Sequence, residues 1–341
     1  MSNRNLRGLA AALTIIFALC AAVLQAEEAK DTTPALTSTI PLKVTGYTQA
    51  RLGLINEDYT TLFNNSGPTT FQLYRARLGL EGQIVKGIRY KFLFEAARTP
   101  LLLDAQMEFS LVQNGYLRVG QFKVPFSQEN LQSAAALDTI NFAQSTSKLV
   151  PGRDNSANGR DIGALADYRI GAFEATAAVL NGSGINKADP DGKKDIALRA
   201  TWSPFDFLTV GASEYLGHTL ASATVTSIYK RNRTGLEAAL AKGPWILKGE
   251  YVYAVDNLRD ASGFYVLGGY FVLPKKLQVV VRYDTLDLDL DLAGNRSTVF
   301  LAGLNWFFAS KTKFQLNCEL GKLEGQSLVF SALLAQFQIG F

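Results

Sequence analysis

Histidine and cysteine are nearly absent from this chain. The only histidine is His218, and the only cysteines are Cys20 and Cys318. A disulfide framework is excluded once the N-terminal leader is gone, and a zinc or haem site has almost no ligands to draw on, so no cofactor or metal is expected. Beyond the first few dozen residues no window holds the ~18 uninterrupted apolar residues of a spanning helix, which argues against a helical membrane protein. A strong charge of either sign is missing too. The formal net charge is +4, and removal of residues 1–26 takes away Arg4 and Arg7 but no acid, leaving +2. Nucleic-acid binders show a strongly basic face instead.

What the chain does hold is a leader and a great deal of alternation. Arg4 and Arg7 precede an apolar run from Leu9 to Leu24 and small residues leading to Ala26. This is the pattern of a secretory signal peptide over 1–26, with cleavage expected after Ala26. Cys20 follows Leu19 rather than a small residue, so it is a poor site for lipid attachment. The aromatic content of 11% is too high for disorder.

From Ile88 onward, Ile88, Tyr90, Phe92, Phe94 and Ala96 share one parity and Arg89, Lys91 and Glu95 the other. Just before, Tyr74, Ala76, Leu78 and Leu80 alternate with Arg75, Arg77, Gly79 and Glu81, and only Val85-Lys86-Gly87 separates the two runs. That is a hairpin of two amphipathic strands. Leu103 to Leu111 and Leu277 to Asp284 repeat the pattern. A soluble sandwich would turn the apolar face inward, whereas an outer-membrane barrel turns it to lipid and its charges to a watery lumen.

Strand number and connection length separate these cases. Sixteen candidate strands fall near 42–54, 70–84, 88–97, 103–112, 115–124, 160–169, 172–181, 194–203, 206–217, 228–241, 244–255, 261–273, 276–286, 296–308, 312–322 and 327–341. Short turns (VKG, QNG, IGA, SPFD, KGP, LPK, ASK) alternate with longer connections that include 55–69, 125–159, 182–193 and 218–227. An even strand count with short turns at one end and long loops at the other is the organisation of a bacterial outer-membrane barrel. The expected domain is a barrel over 41–341, preceded by a short periplasmic segment, 27–40, that is too small to plug it. The last strand ends in Phe337, Ile339 and Phe341 on one parity, resembling the signal read by outer-membrane assembly machinery.

Residues 104–133, DAQMEFSLVQNGYLRVGQFKVPFSQENLQS, resemble the signature of the phosphate-selective porin O and P family, as do RARLGLEG at 75–82 and GLEAALAKGPWILKGEYVYA at 235–254. The resemblance implies a sixteen-stranded, trimeric outer-membrane channel that passes anions such as phosphate or chloride. The family's selective members concentrate lysine and arginine at the constriction. Here the matching third extracellular loop, 125–159, offers Lys148 and Arg153, with Lys123 and Arg160 at its margins, against Glu129, Asp138 and Asp154.

Inward parity places Arg51, Arg75, Arg77, Arg89, Lys91, Arg118, Arg199, Arg233, Lys248 and Arg282 in the lumen. Glu81, Glu95, Asp104, Glu108, Asp167, Glu174, Asp195, Glu237, Glu250, Asp284 and Glu319 share it. Such arginines could form a ladder that replaces an anion's hydration with forked donors, or pair with the acids against the wall. Arg75 and Arg77, two apart on one strand, project side by side. The balance of signs points to a weak anion preference, not a dedicated phosphate filter.

Other chemistries have little to stand on. His218 has no paired base in the sequence, so it reads as a solvated loop residue and not as a catalyst. The alternating acids from Asp284 to Asp291 lack the Gly turn and terminal Glu of a calcium loop. NGSGIN and LGGY are not set between strand and helix as a phosphate cradle requires. The reading is a passive pore; a plugged or receptor-type barrel that binds a partner through its long loops is the alternative.

Overall fold

The structure, a computed structural model, describes residues 42–56, 69–222, 225–325 and 329–341. The expected signal peptide and the segment 27–40 lie outside the described residues, as does most of the 55–69 connection. Seventeen strand segments follow in order. They are β1 (Leu42–Ile55), β2 (Thr69–Val85), β3 (Ile88–Glu95), β4 (Leu102–Val112), β5 (Gly115–Lys123), β6 (Arg160–Ile170), β7 (Phe173–Leu180), β8 (Asp195–Phe205), β9 (Leu208–Leu216), β10 (His218–Ser222), β11 (Val225–Lys242), β12 (Trp245–Asp256), β13 (Arg259–Leu273), β14 (Leu277–Asp287), β15 (Ser297–Ala309), β16 (Thr312–Leu323) and β17 (Val329–Gly340).

Each strand pairs antiparallel with its neighbour, and β1 pairs with both β2 and β17, so the sheet closes. β10 continues β9 past Gly217 and pairs only with β11. Together they make one wall strand, and the barrel has sixteen. The connection expected at 218–227 is therefore largely a hairpin, Leu220 opposite Ile228 and Ser222 opposite Val225; alternation there is short and polar, which reads as loop in sequence. Closure matters because bilayer hydrocarbon offers no partner to a free backbone N–H or C=O. At the seam Phe341 N–H donates to Gly46 O (3.0 Å), and a Cβ on Gly46 would lie 2.7 Å from the Phe341 ring.

Burial is inverted relative to a soluble protein. In β14, Gln278, Val280, Arg282 and Asp284 are buried, while Val279, Val281 and Tyr283 are exposed. In β16, Lys313, Gln315, Asn317 and Glu319 are buried, while Leu316 and Leu320 are exposed. The exposed face is the one lipid covers.

The interior is not all water. The segment after β5 enters the barrel as helix α1 (Gln128–Leu131), a 3-10 turn (Ala134–Ala136) and helix α2 (Gln144–Leu149). Its Val124, Phe126, Leu149 and Val150 join Phe122 and the inward Leu165, Leu180, Ala197, Tyr215, Val252, Ala254, Ala261 and Leu286 in one buried cluster. Two inward glycines make room: a Cβ on Gly235 would lie 2.7 Å from the Phe126 ring, and one on Gly263 2.9 Å from Ser145 Cβ. The lumen-facing positions of β6–β14 are thus partly apolar, contrary to a uniformly charged lining, because the loop and not water covers them.

Phe126 is fully buried, so Phe126→Ala should cost about 3–5 kcal/mol. Heating folded protein in detergent and following the heat-modifiable gel shift checks this; an unchanged transition would contradict the core.

Candidate functional site

Side chains of the inner wall hold the loop on one side of the barrel. Lys248 Nζ pairs with Asp138 Oδ2 at 2.6 Å, Gln278 donates to Asp138 Oδ1 (3.0 Å), and Asn305 donates to Asp138 O (2.7 Å). Lys313 and Gln315 donate to Leu137 O, Asn317 accepts from Ile140 N–H, and Gln338 donates to Ala135 O. Arg282 donates to Thr139 Oγ1 and Asn141 O at 2.9 and 2.8 Å. A buried carbonyl left without a donor is costly, so this row of amides and cations from β12 and β14–β17 fixes where the loop can lie.

The loop's acids are spent on the same task. Asp154 is bound by Arg231 and Arg233, and Arg233 also pairs with Asp256 at 2.8 Å. Glu129 accepts from Ala143 N–H at 3.1 Å, and burial pushes its carboxyl up from the usual range. Glu129, Asp138 and Asp154 therefore turn away from the open space.

That space is a set of three cavities along β1–β5. The largest, about 670 Å³, is lined by Lys43, Glu81, Arg89, Lys91, Glu108 and Arg118 among others. The next, about 500 Å³, shares Lys43, Glu81, Lys91 and Arg118 with it and extends to Arg77, Lys123, Arg160 and the alanines 134–136. The third, about 380 Å³, is lined by Tyr74, Arg75, Arg77, Arg98, Lys123, Ala134, Phe142, Ser147, Arg153, Ser156, Asn158 and Arg160. Neighbouring cavities of the three have lining residues in common, and among the described residues no carboxylate lines the third.

The cations of that third cavity differ in their partners. Arg77 pairs with Glu95 (2.9 Å) and Arg160 with Asp104 (2.5 Å). Lys123 donates to the carbonyls of Asn130, Leu131 and Gln132 at the end of α1. Arg75 donates to Gln49 Oε1 (2.7 Å) and Arg153 to Asn130 Oδ1 (2.7 Å). Among the described residues, Arg75, Arg98, Lys123 and Arg153 form no ion pair within 4 Å. Burial lowers Arg153 to about 9, which leaves it charged at neutral pH. Aromatic rings support the cluster: Tyr74 lies 3.5, 4.5 and 4.7 Å from the guanidinium carbons of Arg51, Arg75 and Arg98, and Phe142 lies 3.7 Å from that of Arg153. Such contacts stabilise a cation without neutralising it.

Of the residues expected along the path, Arg75, Arg77, Arg118, Lys123, Arg153 and Arg160 line these cavities. Arg51 stands behind Tyr74 and donates to Asn141 Oδ1 (3.1 Å). Arg199 is bound to Glu237, Arg233 to Asp154 and Asp256, and Arg282 to Asp284; none of the three lines these cavities, Arg233 and Arg282 because they hold the loop, and Arg199 because it lines a separate cavity of about 560 Å³ between β6 and β11. Lys148 is exposed on the last turn of α2 and lines none of them either. His218 sits at the start of β10, 3.6 Å from Asp195. Asp287 and Asp289 pair with Arg296 and Arg259.

Tyr74, expected on the apolar face, is turned inward. Gln49 faces Arg75 and Ala50 faces Leu73, so Tyr74 is the unpaired residue of a β-bulge, a device that re-aims a side chain. Arg98 was missed because it follows β3, where alternation ends. Two cues in the sequence point to the pair: an aromatic directly before Arg75, and a basic residue closing an amphipathic strand.

Lys248→Met should free the loop edge around Asp138 and raise both mean conductance and open-channel noise, since breaking a largely buried pair costs up to about 3–5 kcal/mol. Single-channel traces indistinguishable from the parent would contradict the pinning.

The model of a family described as "Phosphate-selective porin O and P" matches residues 43–228 and 209–326. No curated protein sequence matches the chain. Among solved structures, an anion-selective porin from Comamonas acidovorans is similar at 15% identity, with 88% of this chain and 99% of that one covered and a TM-score of 0.67. The outer membrane channel DcaP of Acinetobacter baumannii is similar at 12% identity, 89% and 98% coverage and a TM-score of 0.67. The trimer form of OmpT from Vibrio cholerae gives 13%, 88% and 99%, and 0.63.

Proposed function

Since the chain belongs to the phosphate-selective porin O and P family, and is thereby a bacterial outer-membrane channel for passive diffusion, we propose that its path along β1–β5 prefers small anions. The observation that carries this is the cavity of about 380 Å³ lined by six cationic side chains and, among the described residues, no carboxylate. A space of that size is about as wide as one screening length, ~8 Å at physiological salt, so salt does not hide the cations from an ion inside it. Anions are concentrated there and cations repelled.

The preference is modest. Arg77 and Arg160 already have carboxylate partners, and all three N–H groups of Lys123 are occupied. Arg75, Arg98 and Arg153 are the guanidinium groups left to offer donors to a passing oxyanion. This favours a general anion pore over a high-affinity phosphate filter. A plugged, receptor-type barrel is less well supported, because open space along β1–β5 remains beside the loop, in three cavities with lining residues in common. We extend the reading to a homotrimer, in line with the trimer form of OmpT, to secretion through the leader at 1–26, and to assembly through the strand that ends in Phe341.

In a planar bilayer under a salt gradient, the reversal potential should report anion preference, and millimolar rather than micromolar phosphate should be needed to reduce chloride current. Arg98→Gln with Arg153→Gln should bring the permeability ratio toward unity at nearly unchanged conductance. Cation preference in the parent chain would sink the proposal, and half-block at micromolar phosphate would replace it with a specific filter.

A further inference from the structure

Along the short-turn end of the barrel, from β7 to β17, aromatic rings pack against one another. Phe173 stacks on Trp202 and Phe205 on Phe207, Trp245 lies 4.5 Å from Tyr270, and Trp306, Phe308 and Phe337 continue the band. Such a girdle marks the level of lipid headgroups, and the short turns of an outer-membrane barrel face the periplasm. One sector of this end carries cations that the protein does not balance. We propose that the turns β11–β12 and β13–β14, with Lys242, Lys275, Lys276, Phe207, Trp245 and Tyr270, form a docking site for the headgroup of an anionic phospholipid in the periplasmic leaflet.

The position of Lys242 is the first support. It closes β11 directly opposite Trp245, and Trp245 stands opposite Tyr270. Period two puts Lys242 on the same side of β11 as the exposed Leu236, so the row of three belongs to the outer face. The ammonium lies 4.4 Å from the centre of the Phe207 ring, a contact that holds a cation without neutralising it. Its three N–H groups need acceptors, and a headgroup phosphate is the acceptor that lipid supplies at girdle depth.

Charge is the second. Lys275 and Lys276 are exposed in the next turn, which Lys276 N–H closes by donating to Leu273 O at 3.0 Å. Pro244 O accepts from Phe271 N–H (2.9 Å) and Lys276 O from Phe307 N–H (2.8 Å), so the backbone of both turns is fixed while the lysine side chains stay free. Among the described residues, Lys242, Lys275 and Lys276 form no ion pair within 4 Å, and Asp206 is the one acid in the turns β8–β9, β11–β12 and β13–β14. Elsewhere at this end the cations are taken: Lys43 pairs with Glu81 (2.6 Å), Arg169 with Glu174, and Lys311 donates to Phe341 O (3.0 Å). A zwitterionic headgroup brings its own ammonium and leaves the excess in place. An anionic one balances it, each nearby lysine adding to the attraction.

Trp245 is a built-in reporter. The full chain carrying Trp202→Phe and Trp306→Phe, reconstituted in phosphatidylcholine vesicles, should be quenched roughly threefold or more by brominated phosphatidylglycerol relative to the same fraction of brominated phosphatidylcholine. Lys242→Gln with Lys275→Gln and Lys276→Gln should bring the two lipids to parity without changing the quenching by phosphatidylcholine. Should the single-tryptophan chain not fold, spin-labelled lipids give the same comparison on the parent chain. Equal quenching by both lipids in the parent would overturn the site. So would an equal loss on replacing Lys187, Lys193 and Lys194 at the long-loop end by glutamine, which would reduce the effect to net charge. Abolition of the preference by dissolved glycerol phosphate would replace the lipid with a free phosphate ester, and lysine-dependent sedimentation with purified peptidoglycan without any lipid preference would assign the surface to the cell wall instead.

Discussion

Nine consecutive pairs between β1 and β17, from Tyr47 opposite Gly340 to Ile55 opposite Ala332, close the sheet, and the rest of the molecule depends on that closure. A bilayer tolerates no open edge, so the wall must be continuous before either of its faces can have a role. Once closed, the wall has an outer face whose chemistry is dictated by lipid and an inner face free to vary. The inner face varies by sector. Along β1–β5 it carries Lys43, Arg77, Lys91 and Arg118 beside water. Along β6–β14 it carries alanine, leucine, valine and tyrosine under the loop.

The loop connects the two sectors by dividing its own residues. Its carbonyls and acids are taken up by Lys248, Arg231, Arg233, Arg282 and the amides of β14–β17. Arg153 is left on the opposite side, over Phe142. A loop whose counted charges nearly cancel thereby presents one sign to the path. Net charge along a segment is a poor guide to its field when the fold sorts the signs onto different sides.

Much of the wall was legible from alternation alone. β14 and β16 read correctly because period two survives from end to end, and the terminal strand reads correctly because its aromatics share one parity. Tyr74 did not, since a bulge is a property of pairing with β1, and a single strand carries no mark of the residue that its partner will skip. The apolar inner sector was illegible for a related reason: Leu165, Val252 and Leu286 alternate as well as any lipid-facing residue, and only the loop's position says which side they cover. Arg233 and Arg282 lie on the expected face but under the loop, and Arg199 lies on it away from β1–β5. Parity gives a direction across the wall and no distance around it. Arg98 lies past the last paired residue of β3, where parity says nothing.

The loop's attachment to one side makes the barrel eccentric as an electrical object. On the channel reading proposed above, the route for ions is one strip of wall, beside β1–β5. Two arginines on the same inner face can thus have unrelated surroundings: Arg75 borders open space, and Arg233 is part of the loop's foundation.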